Sequence, residues 1–288
     1  MGTQLLWVRS GARLLSLLAI LICLMGFASP ALGQYATFPD PRLSLIVGNK
    51  VLSEYEPGDL IPLDRVQAME ELWAPSPYPS TNAIRSIAGL EQATSLRQLS
   101  LGMNQISDLA PIAGLSQLTD LHLQWNLIND LAPLGGLTHL ESLSLGWNPI
   151  SDLTPLEELT ALVTLSVGQS TLTNIDSLGS LHNLQNLYMD NAGLSTLVPL
   201  GGLVELRRLG LSGNSIADLS PLQHMTHLTW LRINGNPLNA EAYSIYIPLI
   251  EANNPGIEIL YDPIPEPTVC TVLAAAALLS IRRRRFNQ

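Results

Sequence analysis

The segment Leu96-Arg97-Gln98-Leu99-Ser100-Leu101-Gly102-Met103-Asn104-Gln105-Ile106-Ser107-Asp108-Leu109-Ala110-Pro111-Ile112 returns 22 residues later as Leu118-Thr119-Asp120-Leu121-His122-Leu123-Gln124-Trp125-Asn126-Leu127-Ile128-Asn129-Asp130-Leu131-Ala132-Pro133-Leu134. The spacing persists over residues 93–238, seven times without an insertion. One column reads Leu96, Leu118, Leu140, Leu162, Leu184, Leu206, Leu228, and a second, three residues on, is again leucine in every repeat. The third reads Leu101, Leu123, Leu145, Val167, Met189, Leu211, Ile233. A fixed period of this length, too short to close a core alone, predicts a stacked array.

Within each repeat, Leu-x-x-Leu-x-Leu alternates as a short strand does. The next column is Asn104, Asn126, Asn148, Ser170, Ala192, Asn214, Asn236, and an aliphatic column follows it. The repeat then runs through Asp-Leu-x-Pro-Leu or a close variant, as at 108–112, 130–134, 152–156 and 218–222. Aspartate before a turn and proline with its fixed φ predict a tight return segment, extended or 3₁₀.

The pattern L-x-x-L-x-L-x-x-N-x-I-x-D-L-x-P-L resembles the short bacterial leucine-rich repeat of internalin-like proteins. That resemblance implies an α/β-type solenoid with a curved parallel β-sheet on the concave face, 3₁₀ or extended turns on the convex face, and an internal asparagine ladder. The ladder has a physical task, since a buried backbone group left unpaired costs about 1–3 kcal/mol. Ser170 can replace part of the bonding but Ala192 cannot, so a water or a loosened loop is expected there, with Asn191 as substitute.

Both flanks lack the repeat. Residues 34–70 suit an N-terminal cap, with Asp40 able to start a helix through Leu43 and Ile46, and Asp59 or Asp64 a second. Residues 71–92 read as a degenerate first repeat in which Pro75, Pro77 and Pro79 replace the strand apolars. Residues 239–262 form a C-terminal cap, with Asn239 before a helix that Pro248 should kink, and Ile257, Ile259 and Tyr261 on a last strand.

The chain ends carry addressing signals. Residues 1–33 have a positive start at Arg9 and Arg13, an apolar run over 14–27 and a small-residue site at Ala31-Leu32-Gly33, as a signal peptide does. An uncleaved anchor is the competing reading, though the run is short for a span. Over residues 263–288, Pro265, Glu266 and Pro267 precede 14 apolar residues and then Arg282, Arg283, Arg284 and Arg285. This is similar to the PEP-CTERM sorting tail. The resemblance implies an exosortase-type processing enzyme, a transient inner-membrane intermediate held by a transmembrane helix, and final residence at the cell surface or outside it. A plain C-terminal anchor is the alternative.

Between residues 34 and 267 there are 24 acidic and 8 basic side chains, so nucleic acid and anionic lipid are poor partners for this part. Cys23 and Cys270 lie in the apolar end runs, which removes a disulfide framework or thiolate metal site from the array. His224 and His227 straddle a repeat junction without a third ligand, and no serine elbow, acid–base pair or phosphate loop occurs. No enzyme, metal or cofactor is therefore expected.

Recognition of a protein or polysaccharide is expected instead, on residues lining the concave sheet. Trp125 and Trp147 on adjacent rungs, with His122 beside them, form one candidate patch, and Tyr188, Arg207, Arg208, Trp230 and Arg232 form a second. Two alternatives stand beside this. The tryptophans could merely cover the loop edges of their own rungs, and the array could be a structural spacer with no specific ligand.

Overall fold

The computed structural model describes residues 35–76 and 83–263. The signal segment, residues 77–82 of the degenerate first repeat (with Pro77 and Pro79), and the tail with Pro265, Glu266, Pro267 and its four arginines lie outside the described residues.

A small unit begins the chain: β1 (Tyr35–Ala36), α1 (Pro41–Val51), β2 (Ile61–Pro62) and α2 (Leu63–Gln67), with β1 and β2 antiparallel. Asp40 joins this unit to the array. Its Oδ1 accepts the amides of Arg42 (2.9 Å) and Leu43 (3.1 Å), capping α1, while Oδ2 accepts those of Arg85 (2.8 Å) and Ser86 (3.3 Å). Burial raises the pKa of this carboxyl, but the backbone donors outweigh it and hold the group below its ordinary value. Neither Asp59 nor Asp64 caps α2, whose N-cap residue is Pro62 and which has no side-chain cap; Asp59 instead accepts the amide of Glu56.

Nine parallel strands then stack in sequence order: β3 (Glu71–Trp73), β4 (Gln98–Ser100), β5 (Asp120–His122), β6 (Ser142–Ser144), β7 (Thr164–Ser166), β8 (Asn186–Tyr188), β9 (Arg208–Gly210), β10 (Trp230–Arg232) and β11 (Glu258–Leu260). From β4 to β10 each residue pairs with the one 22 positions on, so Leu99, Leu121, Leu143, Leu165, Leu187, Leu209 and Leu231 form one buried row. Burying each leucine contributes about 1.5–3 kcal/mol of transfer free energy before entropy is counted. The convex side is a row of 3₁₀ turns, as at Ala110–Ile112, Ala132–Leu134, Thr154–Leu156 and Ser220–Leu222. Asp108, Asp130, Asp152 and Asp218 each accept the amide two residues on at 2.8–2.9 Å, which is why aspartate precedes these turns.

The asparagine column is a shared hydrogen-bond system. Asn126 accepts the Ile106 amide at 2.9 Å and donates through Nδ2 to the carbonyls of Leu101 and Leu123, both at 3.0 Å. Asn148 accepts from Ile128 and donates to Leu123 (2.9 Å) and Leu145 (2.8 Å), so the Leu123 carbonyl receives two side-chain donors. Asn104, Asn214 and Asn236 repeat the scheme.

The gap at Ser170 and Ala192 closes differently from the expectation. Asn191 does not substitute; it lies exposed in the corner with φ 53°. The backbone adjusts instead. The Leu172 amide donates to the Ala192 carbonyl (3.0 Å) and the Ile150 amide to that of Asn148 (2.8 Å). Ser170 Oγ donates to Val167 O (2.6 Å) and Asn214 Nδ2 to Met189 O (2.9 Å). Each of these groups thus has a protein partner.

The first rung is also a correction. Its strand apolars are present, displaced upstream: Leu72 pairs with Leu99 27 residues later, whereas Ile84 and Ile106 keep the 22-residue spacing. Five residues are thus inserted between the strand and the return segment. Pro75 follows β3 and lies between Ala74 and Ser76, whose amides still donate to Ser100 and Gly102, so it does not replace the strand apolars. At the other end, Asn239 accepts the Ala242 amide (2.8 Å) and a π-helical turn over Ala242–Tyr246 leads into α3 (Ile247–Asn253). Pro248 sits in the first turn of α3, where its missing amide is no loss, and the wider π turn before it absorbs the change without a break.

Candidate binding surface

Alternate strand residues point out of the core, so two columns form the concave face. One reads Glu71, Gln98, Asp120, Ser142, Thr164, Asn186, Arg208, Trp230, Glu258, and the other Trp73, Ser100, His122, Ser144, Ser166, Tyr188, Gly210, Arg232, Leu260. The middle of the face carries small hydroxyls and an amide, with Asn186 Nδ2 bonded to Thr164 Oγ1 at 3.1 Å. Larger side chains gather at the two ends.

At the C-terminal end, Tyr188, Arg208, Thr229, Trp230 and Glu258 line an open cleft of about 450 Å³. The Tyr188 and Trp230 rings meet edge-on with centroids 6.1 Å apart, and the Arg232 guanidinium carbon lies 5.8 Å from the Trp230 centroid, within cation–π range. The guanidinium of Arg208 is exposed, and no described carboxylate lies within ion-pair distance of it or of Arg232. Arg207 does not line the cleft; it precedes β9 at the corner, where its backbone carbonyl takes the amides of Thr229 and Trp230. The sequence groups it with its neighbour but gives no sign of Thr229 or Glu258 as cleft residues.

At the N-terminal end the expected patch divides. His122 bonds Ser144 Oγ at 3.2 Å and lines a hollow of about 60 Å³ with Trp73, Ser100 and Asp120, much smaller than the C-terminal cleft. Trp125 and Trp147 are not on the sheet. They occupy the corner after each strand, in the left-handed region with φ 60° and 61°, and their rings stack at 3.9 Å and 10°. Met103, Gln169, Asn191, Gly213 and Gly235 share this position in the other rungs. The loop-edge alternative therefore describes the backbone placement of the pair, although the rings remain 40% and 46% exposed.

Two of the histidines are structural. His139 and His227 each bond the carbonyl 23 residues earlier, Ser116 (3.0 Å) and Val204 (3.1 Å), as Asn183 does with Thr160.

A 22-residue coil with one short parallel strand, one asparagine corner and one 3₁₀ return defines the architecture. Residues 136–153 match the leucine-rich repeat family profile. In three dimensions the chain is similar to an internalin (inlF) of Listeria monocytogenes, at 25% identity over 79% of this chain and 72% of that one, with a TM-score of 0.71. Internalin C2 of the same organism gives 27% identity over 81% of this chain and all of that one, also with a TM-score of 0.71. The fold is an internalin-like leucine-rich repeat solenoid. A leucine-rich repeat protein of Leptospira interrogans shares this solenoid at 24% identity, over 69% of this chain and 51% of that one, with a TM-score of 0.57. No curated protein matches the chain in sequence. Among the described residues no helix is long and apolar enough to cross a membrane.

Proposed function

We propose that this internalin-like solenoid is a noncatalytic binding scaffold that holds a protein or polysaccharide partner on the C-terminal third of its concave face. One observation carries the reading. Between Gln98 and residue 263 the chain has three cations, Arg207, Arg208 and Arg232, and two of them flank a cleft walled by Tyr188 and Trp230. Rigid aromatic and arginine side chains are the residue types that carry binding energy at interfaces. A spacer would have no use for them, and the small hydroxyls of β6 and β7 show what an unspecialised rung looks like. The leucine-rich repeat fold is a protein-binding scaffold and supports the noncatalytic role.

The site of action is the cell surface or extracellular matrix, in keeping with the signal-like residues 1–33 and the sorting motif at Pro265, Glu266 and Pro267. Export machinery, an exosortase-type enzyme and, transiently, the inner membrane are the partners of those ends. The test is adsorption of the full chain to envelope and matrix fractions of the native cells. Trp230→Ala is expected to abolish retention while Trp125→Ala with Trp147→Ala leaves it intact. Retention that ignores Trp230→Ala contradicts the reading.

A further inference from the structure

We infer that the Tyr188–Trp230 cleft takes a carboxylate-bearing sugar, a uronate unit of an acidic polysaccharide, an assignment that rests on the binding role proposed above. Charge selects an anion. The folded chain is strongly acidic, yet Arg208 projects into this cleft and Arg232 stands over its Trp230 wall, with no described carboxylate within ion-pair distance of either. A guanidinium with no carboxylate beside it among the described residues presents a planar fork that matches a carboxylate.

The rest of the lining selects a sugar over an acidic peptide. Glu258 and Thr229 face the same space. Glu258 can accept a hydroxyl hydrogen, which a uronate unit offers beside its carboxylate and an acidic side chain does not. The cleft is open and its lining is mixed, with Tyr188 and Trp230 beside Arg208, Thr229 and Glu258, unlike the apolar pocket a peptide anchor fills. Both edges of β9 and β10 are already paired, so an extended peptide cannot join here as an added strand. An aromatic wall with hydroxyl, carboxylate and guanidinium around it meets each part of a uronate: the C–H face, the hydroxyls and the acid.

The experiment measures binding of the full chain to three immobilised polymers: polygalacturonate, its methyl ester and poly-L-glutamate. The expected result is salt-sensitive binding to polygalacturonate, with the ester and polyglutamate each at least about tenfold weaker. Arg208→Gln and Trp230→Ala each weaken polygalacturonate binding about tenfold or more, while Arg97→Gln, the same charge change at the far end of the sheet, does not. Thermal melts of each variant confirm that it is folded. Equal binding to the ester, equal binding to polyglutamate, or an equal effect of Arg97→Gln overturns the assignment. If polygalacturonate is not bound but Trp230→Ala still abolishes retention on envelope and matrix fractions, the uronate assignment falls and the binding role stands. If that retention is also indifferent to Trp230→Ala, both fall.

Discussion

Tyr188 and Trp230 stand on strands that are not neighbours, with β9 between them, yet their ring centroids are only 6.1 Å apart. Gly210 makes this contact possible. It pairs with Tyr188 on one side and Arg232 on the other, and a Cβ there would lie 3.2 Å from Tyr188 Cδ1 and 2.9 Å from Asp190 Oδ2. Without a side chain at 210, the tyrosine can lean across the rung toward the tryptophan.

Gly210→Val is therefore expected to part the rings while leaving the coil folded. Gly210 is a strand residue without positive φ, so valine suits its backbone and the cost comes from the displaced neighbours, about 1–2 kcal/mol. Tryptophan emission and near-ultraviolet circular dichroism should change, and retention on envelope material should fall with them. Unchanged spectra would mean that the glycine does not shape the cleft.

The asparagine column predicts an order of stabilities. Asn126→Ala leaves the Leu101 and Leu123 carbonyls with donors from Asn104 and Asn148. Asn148→Ala strips the Leu145 carbonyl of its side-chain donor, because Ser170 serves Val167 instead. The Ile106 and Ile128 amides are lost equally in the two variants. Asn148→Ala should thus cost about 1–3 kcal/mol more than Asn126→Ala in denaturant unfolding. Equal costs would show that the sharing is not energetically real.

Asp40 ties the cap to the array through a carboxylate held below its ordinary pKa of 3.8. A depressed folded-state value contributes stability that is complete above the unfolded pKa and is lost as pH falls through the folded one. Wild-type unfolding free energy should accordingly decline below about pH 4. Asp40→Asn turns an amide NH₂ toward one pair of backbone donors. It should cost about 2 kcal/mol at pH 7 and flatten the acid limb. An Asp40→Asn curve parallel to wild type from pH 7 to 2 would contradict this role.

The stacked tryptophans sit where other rungs use Asn191, Gly213 and Gly235. Left-handed backbone costs a non-glycine residue about 1–2 kcal/mol, and the stack returns about 0.5–1.5 kcal/mol. Trp147→Gly should therefore change the melting temperature little. Gly213→Ala should destabilise by about 1–2 kcal/mol, because its φ of 67° lies in the left-handed region, while the exposed Asn191 side chain beside it can move aside. A large loss of stability in Trp147→Gly would assign the ring to packing.

The repeat register, the inward leucines and the asparagine corners were legible because one period of 22 carries all of them. What the period cannot show is where it is broken or shared. Leu72 and Ala74 were missed as strand residues because the five-residue insertion after Ser76 puts them out of phase. The left-handed corner was hidden by Trp125 and Trp147, residue types that do not favour it, although Gly213 and Gly235 in the same column were a usable signal. The repair at Ala192 uses backbone carbonyls, which leave no trace in side-chain identity. In the cleft, Tyr188, Arg208, Trp230 and Arg232 were readable as a column cluster, but Glu258 belongs to the non-repeating cap, and Gly210 acts by lacking a side chain.

Hydroxyl-radical footprinting of the full chain, free and adsorbed to native envelope or matrix material, addresses the central claim most directly. Protection of Tyr188 and Trp230 on adsorption, with Trp125 and Trp147 labelled as before, is the predicted result. Protection confined to Trp125 and Trp147, or none at any of the four, would contradict binding at the C-terminal third of the concave face.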